Sequence, residues 1–372
     1  MCAGCQRRGY ASQVDQPAAS VLSQEEITRA RRYCLDMLRK SDTPSSLLLP
    51  YIPNHARDAY IALRAFNIEV ARTPDTTSTP TIGAMRLQFQ RDAVLKALAG
   101  QPPKQPIAIL LAKAAEDILY ATDGKAKWSK SWFTRVVDTR EKYLSNPPYP
   151  SISDLESYAE NTYSTLLYLT LQSLPMASLT ADHVASHIGK AAGITAVLRG
   201  LPLLAFPGPP NAHSNQGHFA GDVGASRQGA VMLPLDIMAD AGVREEDVLR
   251  NGTNAHGLRD AVFAVATRAN DHLITARQML QNVRAGQNEG HEFEHGDEDE
   301  HIHLPTTGKS GKAETQAQEV ERAFGVFLPA VATQIWLDRL EKADFDIFSP
   351  KLRVTDWRLP WKAFWAYNRR KL

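Results

Sequence analysis

Apolar residues recur at intervals of three and four along most of this chain, the period of an α-helix seen from its buried side. In Ser23-Gln24-Glu25-Glu26 the Ser23 hydroxyl and Glu26 carboxylate can satisfy each other's orphan amides, so a helix is expected from here to about Lys40. Pro50 and Pro53 bracket a turn. Between His55 and Arg72, Ala59, Leu63, Phe66 and Val70 form one apolar stripe, and Ile82, Met85, Phe89 and Ala93 line a face of the next helix. Pro106 suits the first turn of a helix running to Tyr120. Trp132, Phe133, Val136 and Val137 fall in another, which ends before Asn146-Pro147-Pro148. Leu155, Tyr158, Ala159, Thr162 and Leu166 make a long stripe reaching to Leu174-Pro175, and the patterns His183–Leu201, Asn254–Val283 and Glu314–Leu340 follow. Alternating strand patterns are hardly visible, so the expected class is all-α, a single helical bundle.

Two segments break this pattern. Residues 206–229 are rich in Gly, Pro, Asn and Ser and read as a long loop. Residues 285–315 carry an acidic, His-rich run from His291 to His303 whose composition cannot supply a packed core. Its histidines and carboxylates are suited to weak zinc or nickel binding; a solvated insertion is the plainer reading. One helical domain is therefore expected over residues 21–372, interrupted by these two segments.

Composition narrows the function classes. With 42 basic against 41 acidic residues among 372, the chain lacks an electrostatic footprint for nucleic acid. No run approaches eighteen consecutive apolar residues, so membrane contact is expected to be peripheral. Cysteine is limited to Cys2, Cys5 and Cys34, which excludes a disulfide framework; Cys2-x-x-Cys5 resembles half a zinc or redox site without a second pair. Residues 1–20 form a polar leader. Its first fourteen residues hold Arg7 and Arg8 and no acid until Asp15, and Arg8-Gly9-Tyr10-Ala11-Ser12 has the look of a mitochondrial processing site. A merely irregular start is the alternative.

Several stretches together resemble the squalene/phytoene synthases, all-helical enzymes that join two prenyl diphosphates. Arg64-Ala65-Phe66 through Arg72-Thr73-Pro74-Asp75 stands where that family carries its first aspartate signature. Gly189 to Leu201, then a loop and Met232-Leu233-Pro234, stands where it carries the second, with Asp154 to Ala159 between them. The family's chemistry requires facing aspartates that hold Mg²⁺ against a departing pyrophosphate. Set against that pattern, the acidic positions are Ala71, Arg72, Gly200 and Leu204, and Asp75 alone keeps a carboxylate. The resemblance implies a bundle without catalytic residues, metal or cofactor. Ala65 to Glu69, Tyr158 to Thr162, Ala181 to Ala191 and Asp344 to Phe348 look most like the family's mitochondrial branch. That branch implies a matrix-side protein at the inner membrane that helps to assemble respiratory complex I, with complex I subunits or other assembly factors as partners. An active prenyltransferase, or a protein that binds an isoprenoid diphosphate without chemistry, is the competing expectation.

On this resemblance Arg64, Phe66, Glu69, Tyr158, Lys190 and Arg199 are candidates for the wall of the ancestral substrate cavity. The cations there, with Arg72, either bind a diphosphate or pair with Glu69 and Asp75. His183 and His187, one helical turn apart beside Asp182, are an incomplete metal site and read better as polar packing. Trp357, Trp361 and Trp365, mixed with Arg369, Arg370 and neighbouring basic residues, are candidates for membrane contact, a terminal helix docked on the domain being the alternative.

Overall fold

The computed structural model describes residues 22–77, 79–124, 126–174, 176, 178–207, 229–287 and 316–372. The leader with Cys2 and Cys5, nearly all of the loop at 206–229 and the acidic run from His291 to His303 lie outside the described residues. Among the described residues the chain is helical throughout and contains no strand.

The first helix, α1 (Gln24–Ser41), starts as expected: Glu26 N–H donates to Ser23 Oγ at 3.2 Å and Ser23 N–H to Glu26 Oε2 at 3.0 Å. After the short α2 (Thr43–Leu48) comes α3 (Arg57–Ala71), in which every side chain from Ala59 to Ile68 is buried. The stripe expected there was too narrow, because α3 is enclosed by neighbours on all sides. Arg31 ties α1 to α3, its Nε donating to Asp58 Oδ1 at 2.7 Å. Cys34 faces the same seam and is fully buried, which pushes its thiol up to about 12. It is therefore an inert packing residue.

The one-turn α4 (Thr73–Thr76) leads into α5 (Pro80–Leu98), and here the sequence reading is corrected. Ile82, Met85 and Phe89 face outward, 45%, 70% and 50% exposed. The buried face carries Gly83, Leu87, Gln90, Ala93, Val94 and Ala97, because α6 (Pro106–Ala121) and α7 (Lys130–Lys142) pack on that side. Arg91 locks α5 to α7 by donating to Asp138 and, at 2.9 Å, to Glu141.

The second half is built around α10 (Leu179–Ala205). It packs against α8 (Ile152–Ala159), α9 (Thr165–Gln172), α13 (Leu258–Arg284), α14 (Gln316–Phe327) and α15 (Pro329–Lys342). By length and hydropathy α10 is the one helix among the described residues fit to cross a membrane, yet more than half of that apolar window is buried in the bundle. Short α11 (Leu235–Asp240) and α12 (Glu245–Asn251) bridge α10 to α13. The pattern expected as one run from Glu314 to Leu340 is two helices. Pro329, which has no amide hydrogen to donate, interrupts the run and takes the first turn of α15 instead. The chain closes with α16 (Leu359–Arg369), whose Leu359 and Ala363 are buried against the domain.

Candidate functional site

Between α8 and α9 the helix widens into a π-helical segment, Glu160–Ser164, where Thr165 Oγ1 donates to the Glu160 carbonyl at 3.0 Å. Such turns reorient side chains and recur at functional sites. Here the π turn lies against α10, and the approach is close because α10 presents glycine there. A Cβ on Gly189 would lie 2.3 Å from Ser164 Cα, and one on Gly193 would lie 2.5 Å from Ala159 Cβ. Ser164 Oγ crosses the seam to donate to the Ser186 carbonyl at 2.9 Å.

This contact places Glu160, a buried carboxylate, in a polar cluster within an apolar interior. Tyr168 OH donates to its Oε1 at 2.5 Å, Ser186 Oγ to its Oε2 at 2.9 Å, and Lys190 Nζ stands 4.0 Å from Oε2. Burial first, and the adjacent Glu160 second, hold the Tyr168 phenol protonated, well above its usual range. On the α7 side Arg140 donates to Tyr158 OH and, at 3.2 Å, to Asn67 Oδ1. Its guanidinium lies over the rings of Tyr158 and Tyr163, at 5.2 and 5.6 Å. Tyr143 and Tyr149 both pack edge-on against Tyr158, at 5.1 and 5.4 Å. The two clusters form a polar belt that touches α3, α7, α8, α9 and α10.

Of the residues singled out in the sequence, Tyr158 and Lys190 belong to this belt. Phe66 is fully buried against Phe133, ring centroids 5.5 Å apart. Arg64 is buried over the Tyr60 ring at 5.3 Å, and its Nε and Nη2 have no hydrogen-bond partner. Glu69 is half-buried and its charge reaches Tyr33 of α1, while Arg199 is exposed on α10. At the ends of these helices, Ala71 is half-buried and Arg72 exposed, its Nη1 donating to Ser41 Oγ at 3.4 Å. Asp75 is exposed on α4. Gly200 has open space where a Cβ would stand, and Leu204 packs partly on the core.

Sequence reasoning missed Asn67, Arg140, Glu160, Tyr168 and Ser186 as a unit. The one available signal was a carboxylate, Glu160, in the middle of an otherwise apolar stripe. It also missed the partner of the histidine pair. His183 and His187 lie with ring centroids 5.4 Å apart, and His187 Nδ1 is 3.0 Å from His272 Nδ1 on α13. His272 Nε2 in turn meets Glu156 Oε1 at 2.7 Å, where Arg268 Nε also donates. The histidines of α10 thus stand in a run of polar contacts that reaches α13 and α8. Among the described residues no group of three or more His, Cys, Asp or Glu is placed to hold a metal ion.

Burial alone would raise the Glu156 carboxyl, but hydrogen bonds from His272 and Arg268, with their charge, hold it down from its ordinary 4.5 to about 2. A carboxyl depressed on folding contributes stability that is complete above about pH 4.5 and lost as the pH falls through about 2. Glu156→Gln is therefore expected to flatten the fall in stability across that acid window. Urea unfolding at a series of pH values reads it, and an unchanged acid limb would contradict the assignment.

The squalene/phytoene synthase family model matches residues 38–364, so the chain belongs to that family. The protein named NADH dehydrogenase (ubiquinone) complex I, assembly factor 6 of Homo sapiens is 36% identical over 328 residues, 88% of this chain and 79% of that protein. The Mus musculus protein of the same name is 36% identical over 334 residues, 90% of this chain and 80% of its own length. The Drosophila melanogaster homolog is 31% identical over 338 residues, covering 90% and 82%. A crystal structure of a dehydrosqualene synthase in complex with ligand superposes with a TM-score of 0.63 at 14% identity, covering 93% of this chain and 98% of that one. The squalene synthase of Alicyclobacillus acidocaldarius gives 0.59 at 13% identity, covering 87% and 97%. The synthases share the fold.

Proposed function

We propose that this member of the squalene/phytoene synthase family is a mitochondrial assembly factor for respiratory complex I that acts by binding protein rather than by prenyl transfer. The observation that carries the reading is about a third identity to proteins named for that role, sustained over about nine-tenths of the chain. The chemistry of the signature positions supports it. A Mg²⁺–diphosphate cluster needs several hard oxygen ligands converging on one place. Ala71 and Gly200 offer no donor atom, Leu204 is apolar, and Arg72 adds a positive charge beside Asp75. The residues present do not fit the metals, and removal of even one well-placed electrostatic group commonly costs catalysis about 10²-fold or more.

A binding role also accounts for side chains that a monomeric enzyme has no reason to leave outside. The exposed face of α5, Ile82, Met85 and Phe89, is the candidate surface for a complex I subunit or another assembly factor. The matrix side of the inner membrane is the expected location.

Deleting the gene and resolving respiratory complexes on a native gel tests the role. Loss of mature complex I with other complexes retained is expected, and normal complex I would remove the proposal. Purified protein incubated with Mg²⁺ and farnesyl or geranylgeranyl diphosphate is expected to release no pyrophosphate. Steady release above the no-protein control would restore the enzymatic reading.

A further inference from the structure

The geometry points to α16 and the turn before it as a lipid-binding surface, which lays its indole rings among the headgroups of an anionic bilayer. Four large aromatic side chains stand clear of the domain: Trp357, Trp361, Phe364 and Trp365, 73%, 64%, 46% and 53% exposed. The spacing of Trp361, Phe364 and Trp365 keeps them on a common side of α16, and Trp357 stands in the turn just before it. The opposite side, with Leu359 and Ala363 buried and Ala366 and Tyr367 packed on the core, is what holds α16 to the protein. The outward face is thus not a core stripe that has lost its cover. It is a second apolar face on a helix whose first is already used.

Charge selects the occupant. Between residues 351 and 372 seven lysine and arginine side chains stand against a single acidic one, Asp356, in a chain whose overall balance is nearly even. Two of these cations neighbour carboxylates of the domain, Lys362 at 3.9 Å from Asp338 and Arg370 at 3.1 Å from Glu321. The others are exposed. Arg358 lies over the Trp357 ring at 5.6 Å and Arg369 over the Trp365 ring at 4.9 Å, so guanidinium and indole are offered together. Interfacial helices combine these features: aromatic rings seek the headgroup level while flanking cations neutralise lipid phosphate. A basic residue near an anionic surface adds about fivefold to partitioning.

The test is flotation of the full chain with phosphatidylcholine vesicles, with and without phosphatidylglycerol. Binding is expected to the anionic vesicles only, to weaken with salt, and to fall about tenfold or more in Trp357→Ala/Trp361→Ala/Trp365→Ala. Arg358→Glu/Arg369→Glu is expected to lose about as much while its thermal unfolding stays that of the unaltered protein. Equal flotation of either variant, or none of the unaltered chain, overturns the proposal; a loss of complex I on exchanging these residues without any vesicle binding assigns the face to a protein and overturns it too. Because lipid alone is the probe, failure here leaves the assembly role untouched.

Discussion

Gly189→Ala is expected to destabilise the protein by about 3 kcal/mol, whereas Gly200→Ala in the same helix is expected to stabilise it by up to about 1 kcal/mol. The two substitutions add the same methyl group, and both replace glycine in α10 by the best helix former. What differs is the space. At Gly189 the new carbon would stand 2.3 Å from Ser164 Cα and 2.5 Å from its backbone nitrogen, atoms that cannot rotate away. Relief requires moving α10 off the π segment and with it the Ser164–Ser186 hydrogen bond. At Gly200 no atom lies within 4 Å. Chemical denaturation followed by far-ultraviolet circular dichroism reads both. Equal effects would show that the helices are not in backbone contact.

Glu160→Ala is expected to cost about 3–5 kcal/mol, the usual price of breaking a buried charged cluster by removing one member. The change withdraws the acceptor of both the Tyr168 hydroxyl and the Ser186 hydroxyl, and it removes the carboxylate facing Lys190. Glu160→Gln keeps an acceptor oxygen without the charge and is expected to recover part of the loss. Tyr168→Phe, which removes one hydrogen bond to a carboxylate, is expected to cost about 1.5–3 kcal/mol. A double substitution at 160 and 168 should cost less than the sum, because both changes break the same bond. An alanine variant within 1 kcal/mol of the unaltered protein would mean that the cluster contributes no stability, and would leave the π turn unexplained.

The parts of this fold that were legible in the sequence are those decided locally. The Ser23–Glu26 capping box is written in four consecutive residues, and the stripe from Leu155 to Leu166 is buried as its spacing requires. Helix α5 shows the limit of that logic. It carries apolar residues on two faces, and periodicity alone cannot say that Leu87 and Val94 rather than Ile82 and Met85 meet α6 and α7. The polar contacts between helices depend on residues far apart in the chain. Asn67 meets Arg140 across 73 positions and, in the separate histidine cluster, Glu156 meets His272 across 116, so no local pattern joins either pair. The π turn is equally silent in sequence: its Glu160 accepts from Tyr168 and Ser186, which only the packed helices bring near.

On the proposed reading Asp75 is the one carboxylate kept at the family's signature positions; it is exposed on α4, outside the buried core. The most direct measurement is rescue: cells lacking the gene, supplied with the unaltered chain or with Asp75→Ala at equal protein level, and assayed for assembled complex I on native gels. Full restoration by both is the predicted result. Rescue by the unaltered chain but not by Asp75→Ala would show that the last carboxylate still does chemistry, and would contradict the claim that the surfaces of this bundle, not its ancestral metal site, carry its function.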